Sequence, residues 1–173
     1  MKKFPSVRRW LSMGMLSAML GTAMPPAAQA QRPIYILDLE CVYAWTSRIF
    51  GVIPFSDGAD VSIGRELYTS IMSAYPGGIT CKLPGGPATL EIQYGVPDTS
   101  RLPPAIIQVY VDGSEVARHE GESGKINTFL VDVSNGRSLA IDLNCSRKDN
   151  CGSGDYHFFK FHLNPGASSP GSR

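Results

Sequence analysis

Apolar and polar residues alternate over many short segments of the chain, which is the pattern of β-strands with one buried face. In residues 88–94, the side chains of Leu90, Ile92 and Tyr94 share one face, and polar side chains occupy the other. Gly or Pro interrupts nearly every window long enough for a three-turn helix. The pattern therefore predicts strands and no substantial helix.

Two turn signals lie between strand-like segments. Asp112-Gly113 follows the apolar segment 105–111, in which Ile107 and Val109 share a face. Asn135-Gly136 separates segment 128–134 from segment 137–143. Both dipeptides supply the positive φ angles of a two-residue turn, so the sequence predicts a β-hairpin at each.

The first and last strands of the domain are also visible in the pattern. Segment 34–39 predicts an opening strand, and segment 155–163 predicts a final strand with Phe159, Phe161 and Leu163 on one face. The tail 164–173 is rich in Gly, Ser and Pro, which predicts disorder. About eight to ten short strands at this spacing favour an all-β fold, an antiparallel β-sandwich over residues 31–163.

The first thirty residues have the composition of a secretory signal peptide. Four basic residues in the first ten positions precede the apolar run 11–20, and Ala28-Gln29-Ala30 forms an Ala-x-Ala cleavage site. The run is about half as long as a membrane-spanning helix, so we expect cleavage after Ala30 and no transmembrane anchor. The protein is therefore expected to be secreted or periplasmic.

Removal of residues 1–30 changes the charge of the chain. The remaining 143 residues carry 12 basic and 15 acidic side chains, a net charge of −3, and contain no run of Lys or Arg. This excludes the electrostatic pattern of a nucleic-acid or anionic-membrane binding protein. A chain of this length suits one domain.

All four cysteines follow the leader, and an even number in an exported chain predicts two disulfides. Three pairings are open from the sequence. We favour Cys145–Cys151, because the polar segment between them forms a short loop that closes at low entropic cost, which leaves Cys41–Cys81. The paired short spacings of a zinc site are absent.

The order of segments resembles the NPCBM family, the novel putative carbohydrate-binding modules found beside glycoside hydrolase domains. The matching segments are Tyr35 to Leu39, Ser62 to Ile71, Tyr94 to Asp98, Ile107 to Gly113, Val131 to Ile141, and Asp155 to Phe159. The resemblance implies a galactose-binding-like jelly roll that binds sugars. Phe158 and Phe159 stand where the family has Asp and Trp, and the four cysteines are additional.

Sugar recognition combines an aromatic ring, which stacks on the C–H face of a pyranose, with polar groups that bind the hydroxyls. The segment from Tyr43 through Trp45 and Arg48 to Asp57 brings such residues together in a loop-like stretch. Tyr75, before Pro76, is a second aromatic candidate. A buried position for Trp45 beneath a long loop is an equal alternative.

A structural calcium ion is implied mainly by the resemblance, because galactose-binding-like folds often hold one. Asp57, Asp60 and Asp155 are the candidate ligands, although their spacing matches no known calcium loop.

Catalytic motifs of the common hydrolase and nucleotide-binding classes are absent from the sequence. His119, His157 and His162 are interpreted as ordinary strand or surface residues, and Asp57-Gly58-Ala59-Asp60 as a turn. We therefore expect a noncatalytic glycan-binding protein. The alternatives are a protein-interaction or envelope-structural sandwich that has lost sugar binding, with a protein as its partner, and a small secreted hydrolase.

Overall fold

The computed structural model describes residues 32–43, 55–147, 151 and 154–166. These ranges form thirteen strands and one short 3-10 helix, Ile36–Asp38. In chain order the strands are β1 Ile34–Tyr35, β2 Cys41–Tyr43, β3 Phe55–Asp57, β4 Asp60–Ile63, β5 Glu66–Thr69, β6 Met72–Ala74, β7 Gly77–Lys82, β8 Ala88–Gly95, β9 Ala105–Val111, β10 Ser114–Glu120, β11 Asn127–Asp132, β12 Ser138–Cys145 and β13 Tyr156–Pro165. Within the described ranges, no helix has the length and apolar character needed to cross a membrane.

The strands form two packed sheets and a small hairpin. Sheet A has the order β11-β8-β13-β6-β3, with β1 also paired to β13. Sheet B has the order β10-β9-β12-β7-β2, and β4 pairs with β5 alone. Every pairing is antiparallel. The predicted antiparallel β-sandwich is therefore confirmed.

The core lies between the two sheets and follows the predicted alternation. Leu90, Ile92 and Tyr94 of β8 are fully buried, as are Ile107 and Val109 of β9. Alternate residues on these strands face outward, so each sheet keeps one polar face. Burial of these side chains in the apolar interior is the main source of stability for such a sandwich.

The first predicted hairpin is confirmed. β9 and β10 pair through a turn in which Asp112 has a φ of 50° and Gly113 a φ of 84°. The Asp112 side chain also accepts hydrogen bonds from the backbone N–H groups of Arg137 and Ser138, both at 3.0 Å. The turn is thus tied to the neighbouring strand β12.

The second predicted hairpin is wrong. β11 pairs with β8 in sheet A, whereas β12 pairs with β7 and β9 in sheet B. The turn at Asn135, which has a φ of 61°, crosses from one sheet to the other. The Asn135 N–H donates to the carbonyl of Gly86 at 2.8 Å, so this crossing is held by a nonlocal partner.

The final strand contains a β-bulge that changes the predicted facing of its aromatic residues. The register with β8 shifts between Phe158 and Lys160. As a result Phe158 is buried, and Phe159 lies outside the core against Tyr68. The expectation that Phe159 shares a face with Phe161 and Leu163 is therefore wrong. The strand continues to Pro165, beyond the boundary expected at residue 163, and residues 167–173 lie outside the described ranges.

The opening segment is shorter as a strand than expected. Only Ile34 and Tyr35 pair with β13, after which the chain turns into the 3-10 helix. The turn carries Ile36 into the core, where it is fully buried, and Leu39 closes it by donating to the Ile36 carbonyl at 3.1 Å. Burial of Ile36 is the physical reason for the interruption.

Both favoured disulfides are present. Cys41 lies directly opposite Cys81 in the pairing of β2 with β7, and the two are bonded. Cys145, at the end of β12, is bonded to Cys151. One bridge fastens an edge strand to sheet B, and the other closes a short loop.

The β4–β5 hairpin is anchored to the sandwich by Asp98. Its carboxylate accepts hydrogen bonds from the Ser62 hydroxyl at 2.7 Å and from the N–H groups of Gly64 and Arg65 at 2.8 and 2.9 Å. These bonds, the one from Ser62 first, hold the pKa of Asp98 below its usual value. The hairpin is therefore held in place by residues from two of the segments that resemble the NPCBM family, 62–71 and 94–98.

Candidate functional site

Tyr75 and Asp155 meet at one end of sheet A. β6 and β13 pair with Ala74 opposite Tyr156, so the next residues along the two strands, Tyr75 and Asp155, come together. A hydrogen bond between the Tyr75 hydroxyl and the Asp155 carboxylate raises the pKa of Tyr75 above its usual value. Tyr75 nevertheless remains 54% exposed. The result is a half-exposed tyrosine beside a carboxylate.

Polar neighbours on the same strands support this pair. The Ser73 hydroxyl donates to Asp155 at 2.9 Å, and His157 lies opposite Ser73 in the strand register. Nδ1 of His157 lies 3.0 Å from the hydroxyl of the buried Ser70. We call Ser70, Ser73, Tyr75, Asp155 and His157 the Tyr75 edge.

The pKa of His157 is lowered from its usual value of 6.5, because burial disfavours the charged ring more than Asp155 favours it. Below about pH 6.5, the folded protein binds fewer protons at His157 than the unfolded chain does, so the stability of the fold falls as pH falls.

We predict that His157→Gln loses less stability than the wild type between about pH 6.5 and pH 5. Urea denaturation at several pH values measures this. His162→Gln, on the same strand, is the control and should keep the contribution of His157; equal pH profiles for wild type and His157→Gln would refute the prediction.

The space beneath Tyr75 is too small to hold a sugar. A cavity of about 20 Å³ lies between the sheets, lined in part by Tyr75, Ile107 and Phe158. Ligand pockets in proteins are typically about 300–1,000 Å³. The interior at this end of the sandwich therefore has no room for a ligand of that size, and only the outer surface around Tyr75 is accessible to one.

Asp57 and Asp60 lie on the strands beside the Tyr75 edge. Asp57 is exposed and lies opposite Met72 where β3 pairs with β6. Met72 precedes Tyr75 by three residues. Asp60 accepts a hydrogen bond from the Thr69 hydroxyl at 2.6 Å. Between them, a Cβ on Gly58 would lie 1.8 Å from the carbonyl oxygen of Ser70, so this position requires glycine. Asp57 ends β3 and Asp60 begins β4, so the segment expected to form a turn belongs partly to strands, and only Gly58 and Ala59 connect them.

The structure does not assemble the three candidate calcium ligands. In the described ranges, no group of three or more His, Cys, Asp or Glu side chains is placed to hold a metal ion. Asp155 is engaged by Ser73 and Tyr75, and Asp60 by Thr69. Calcium binding stays a prediction that would need backbone carbonyl groups as additional ligands.

The other predicted site residues are only partly described. Tyr43 pairs through its backbone with Ile79 at the end of β2. Trp45 and Arg48 lie outside the described residues.

Sequence reasoning missed three polar residues of the Tyr75 edge, Ser70, Ser73 and His157. His157 was interpreted as an ordinary strand residue, and Ser70 and Ser73 were not singled out. The alternation of Asp155, Tyr156 and His157, with the buried tyrosine between two polar residues, is the signal that places both polar side chains on one face.

The fold matches solved structures of family 51 carbohydrate-binding modules (CBM51). The tandem CBM51 modules of Sp3GH98, a family 98 glycoside hydrolase from Streptococcus pneumoniae SP3-BS71, align with a TM-score of 0.60 and 9% identity over 77% of this chain and 47% of that one. The CBM51 of a Clostridium perfringens family 95 glycoside hydrolase, in complex with methyl-galactose, aligns with a TM-score of 0.57 and 14% identity over 76% and 99%.

A third match is the second CBM51 and the INT domains of Clostridium perfringens ZmpB, in complex with GlcNAc. It has a TM-score of 0.56 and 11% identity over 79% of this chain and 32% of that one. A longer ZmpB structure, containing the M60 catalytic domain, is covered only to 15% of its length. No protein-family model matches the chain, and no curated protein matches its sequence. The matches establish the fold, an antiparallel β-sandwich like that of the CBM51 modules.

Proposed function

We propose that the protein is an exported, noncatalytic carbohydrate-binding protein that recognises glycans at one end of its β-sandwich. The observation that carries the proposal is the Tyr75–Asp155 pair. Tyr75 is 54% exposed, and its hydroxyl interacts with the carboxylate of Asp155, which also accepts a hydrogen bond from Ser73. An exposed, oriented aromatic ring beside a carboxylate is the combination that sugar recognition requires.

The chemistry of the pair assigns a role to each group. The face of Tyr75 stacks on the C–H face of a pyranose, which excludes water from apolar surface. Asp155 accepts hydrogen bonds from sugar hydroxyls, and the Ser73 hydroxyl keeps the carboxylate in position. Tyr43, Trp45, Arg48 and Asp57, the other ligand-binding residues predicted from the sequence, are part of the same proposal.

Export rests on the leader and the cysteines. The basic and apolar residues before Ala30 have the order of a signal peptide, and the two disulfides suit an oxidising compartment. Membership of the NPCBM family is part of the same proposal, supported by the order of the matching segments and by the CBM51-like fold.

The decisive test is a glycan array followed by calorimetric titration of the binding sugars, with methyl-galactose and GlcNAc included because they occupy two of the matching structures. We predict that Tyr75→Ala weakens binding at least about tenfold, because it removes the stacking surface. Tyr75→Phe keeps the ring and is expected to retain most of the affinity. Leu67→Ala, which removes another exposed apolar side chain, is the control and should bind normally. Absence of binding to every sugar, or full affinity in Tyr75→Ala, would overturn the proposal.

A protein-interaction role is the second candidate, favoured by the β4–β5 hairpin. Leu67 on this hairpin is 76% exposed and Ile71, just after it, is 45% exposed. The hairpin is held rigidly by Asp98 and could present these side chains to a partner. A specific protein partner whose binding is lost in Leu67→Ala and kept in Tyr75→Ala would favour this function.

A further inference from the structure

β11, at one edge of sheet A, lacks the features that protect the other edge strands of the two sheets. Its residues pair with β8 without a register shift and include no Lys, Arg or Pro. By contrast, β10 at the edge of sheet B has a register shift between Glu115 and Ala117, and it also carries Arg118 and Glu120. β1, β2 and β3, which form the remaining edges, have only two or three residues each. Short strands, charged side chains and bulges prevent edge strands from pairing with other chains, so among the described strands β11 is the edge open to such pairing.

The hydrogen-bond pattern shows which backbone groups of β11 point away from sheet A. The Val133 N–H, directly after β11, donates to the Ala88 carbonyl at 3.0 Å and continues the pairing of β11 with β8. Because the direction of these bonds alternates along a strand, every second residue counted back from Val133 also points its N–H and C=O groups towards β8. The other residues point these groups outward, and they are Thr128, Leu130 and Asp132.

The outward-pointing residues also make the strand complementary to a second copy of itself. Leu130, at their centre, is 51% exposed, and Thr128 and Asp132 on either side are exposed as well. The Thr128 hydroxyl accepts a hydrogen bond from Gln93 at 3.0 Å, and its own proton can be donated to another acceptor. A hydroxyl lies two residues before Leu130 and a carboxylate two residues after it. Two such strands in opposite directions therefore match donor to acceptor and leucine to leucine.

We propose that β11 pairs antiparallel with β11 of a second copy of the chain, about a two-fold axis that passes through Leu130. This register places Leu130 opposite its own copy and Thr128 opposite Asp132 of the second copy, so no charge faces a like charge. The three outward residues of each strand then form three pairs with two backbone hydrogen bonds each. A shift of two residues would lose one of these pairs and oppose Leu130 to a polar side chain. The contact is symmetric, as in most homodimers, and it joins the two A sheets into one. This inference does not depend on the proposed function.

Sedimentation equilibrium of the purified protein over a range of concentrations measures the association. We predict that Leu130→Lys weakens dimerisation at least about tenfold, because it places two like charges directly opposite each other on the axis. Val116→Lys is the matched control and should dimerise as the wild type does, since Val116 is 46% exposed but lies on β10, at the edge of sheet B. A mixture of Leu130→Lys and Leu130→Glu should associate again, because opposite charges then meet across the axis. This recovery would also show that both variants are folded.

Amide hydrogen exchange tests the register. The amides of Thr128, Leu130 and Asp132 should be protected in the dimer and should lose that protection on dilution. Those of Phe129 and Val131, which point towards β8, should stay protected at every concentration. A wild type that stays monomeric at millimolar concentration would overturn the proposal and leave this edge to a strand of another protein. A dimer that Leu130→Lys does not weaken, or a mixture of the two charged variants that does not associate, would also overturn it.

Discussion

Replacement of Phe158 by alanine is expected to lower the free energy of unfolding by about 3–5 kcal/mol, whereas the same change at Phe159 should cost about 1 kcal/mol. Phe158 is 3% exposed, and its ring packs against Phe161 and Tyr94 at centroid distances of 5.4 and 6.1 Å. Its truncation leaves a cavity between the sheets. Phe159 lies outside the core, with its ring 5.6 Å from that of Tyr68. The two adjacent substitutions remove the same atoms and differ only in what surrounds them.

Urea denaturation of the two variants measures the difference directly. The slope of the transition should be unchanged, so the comparison can be made from the midpoints. A larger loss in Phe159→Ala than in Phe158→Ala would show that the alternation continues without a bulge and that Phe159 faces the core.

This bulge marks a limit of prediction from the local pattern. Strict alternation from Leu163 back through Phe161 places Phe159 on the same face as these two residues, which is the expectation from the sequence. The register shift against β8 moves Phe158 inward instead. A bulge depends on how two strands meet, and the partner strand lies more than sixty residues away in the sequence, so the alternation within β13 alone contains no signal for it.

The turn at Asn135-Gly136 shows the same division between local and nonlocal information. The dipeptide correctly predicted a turn, and the flanking segments are strands. Their partners could not be deduced, because the two-residue hairpin signal does not distinguish a turn within a sheet from one that crosses between sheets. The crossing is decided by contacts such as the bond from Asn135 to Gly86.

The candidate site likewise combines residues that were predicted separately. Tyr75 and Asp155 were each singled out from the sequence, one as an aromatic candidate and the other as an acid. Only the register of β6 with β13 brings them together, across 80 residues of sequence. Residue types were therefore predictable, and their combination required the sheet topology.

Removal of the Cys41–Cys81 disulfide is expected to cost about 4 kcal/mol of stability, against about 2 kcal/mol for Cys145–Cys151. The first bridge joins residues 40 positions apart and the second joins residues 6 positions apart. In the chain-entropy description, a bridge stabilises by restricting the unfolded chain, and the restriction grows with the length of the closed loop. The first bridge also fastens β2 to β7, so its loss should loosen the edge of sheet B next to Gly77.

The comparison uses two double variants, Cys41→Ser with Cys81→Ser and Cys145→Ser with Cys151→Ser. Each removes one bridge without leaving an unpaired thiol, and each serves as the control for the other. Thermal and urea denaturation should rank the first variant as the less stable. Sugar binding should follow the same ranking if the Tyr75 edge depends on sheet B, because Tyr75 lies two residues before β7, the strand that the first bridge secures. Equal losses of stability in the two variants would contradict the chain-entropy account and point to the folded-state contacts of each bridge as the source of its contribution.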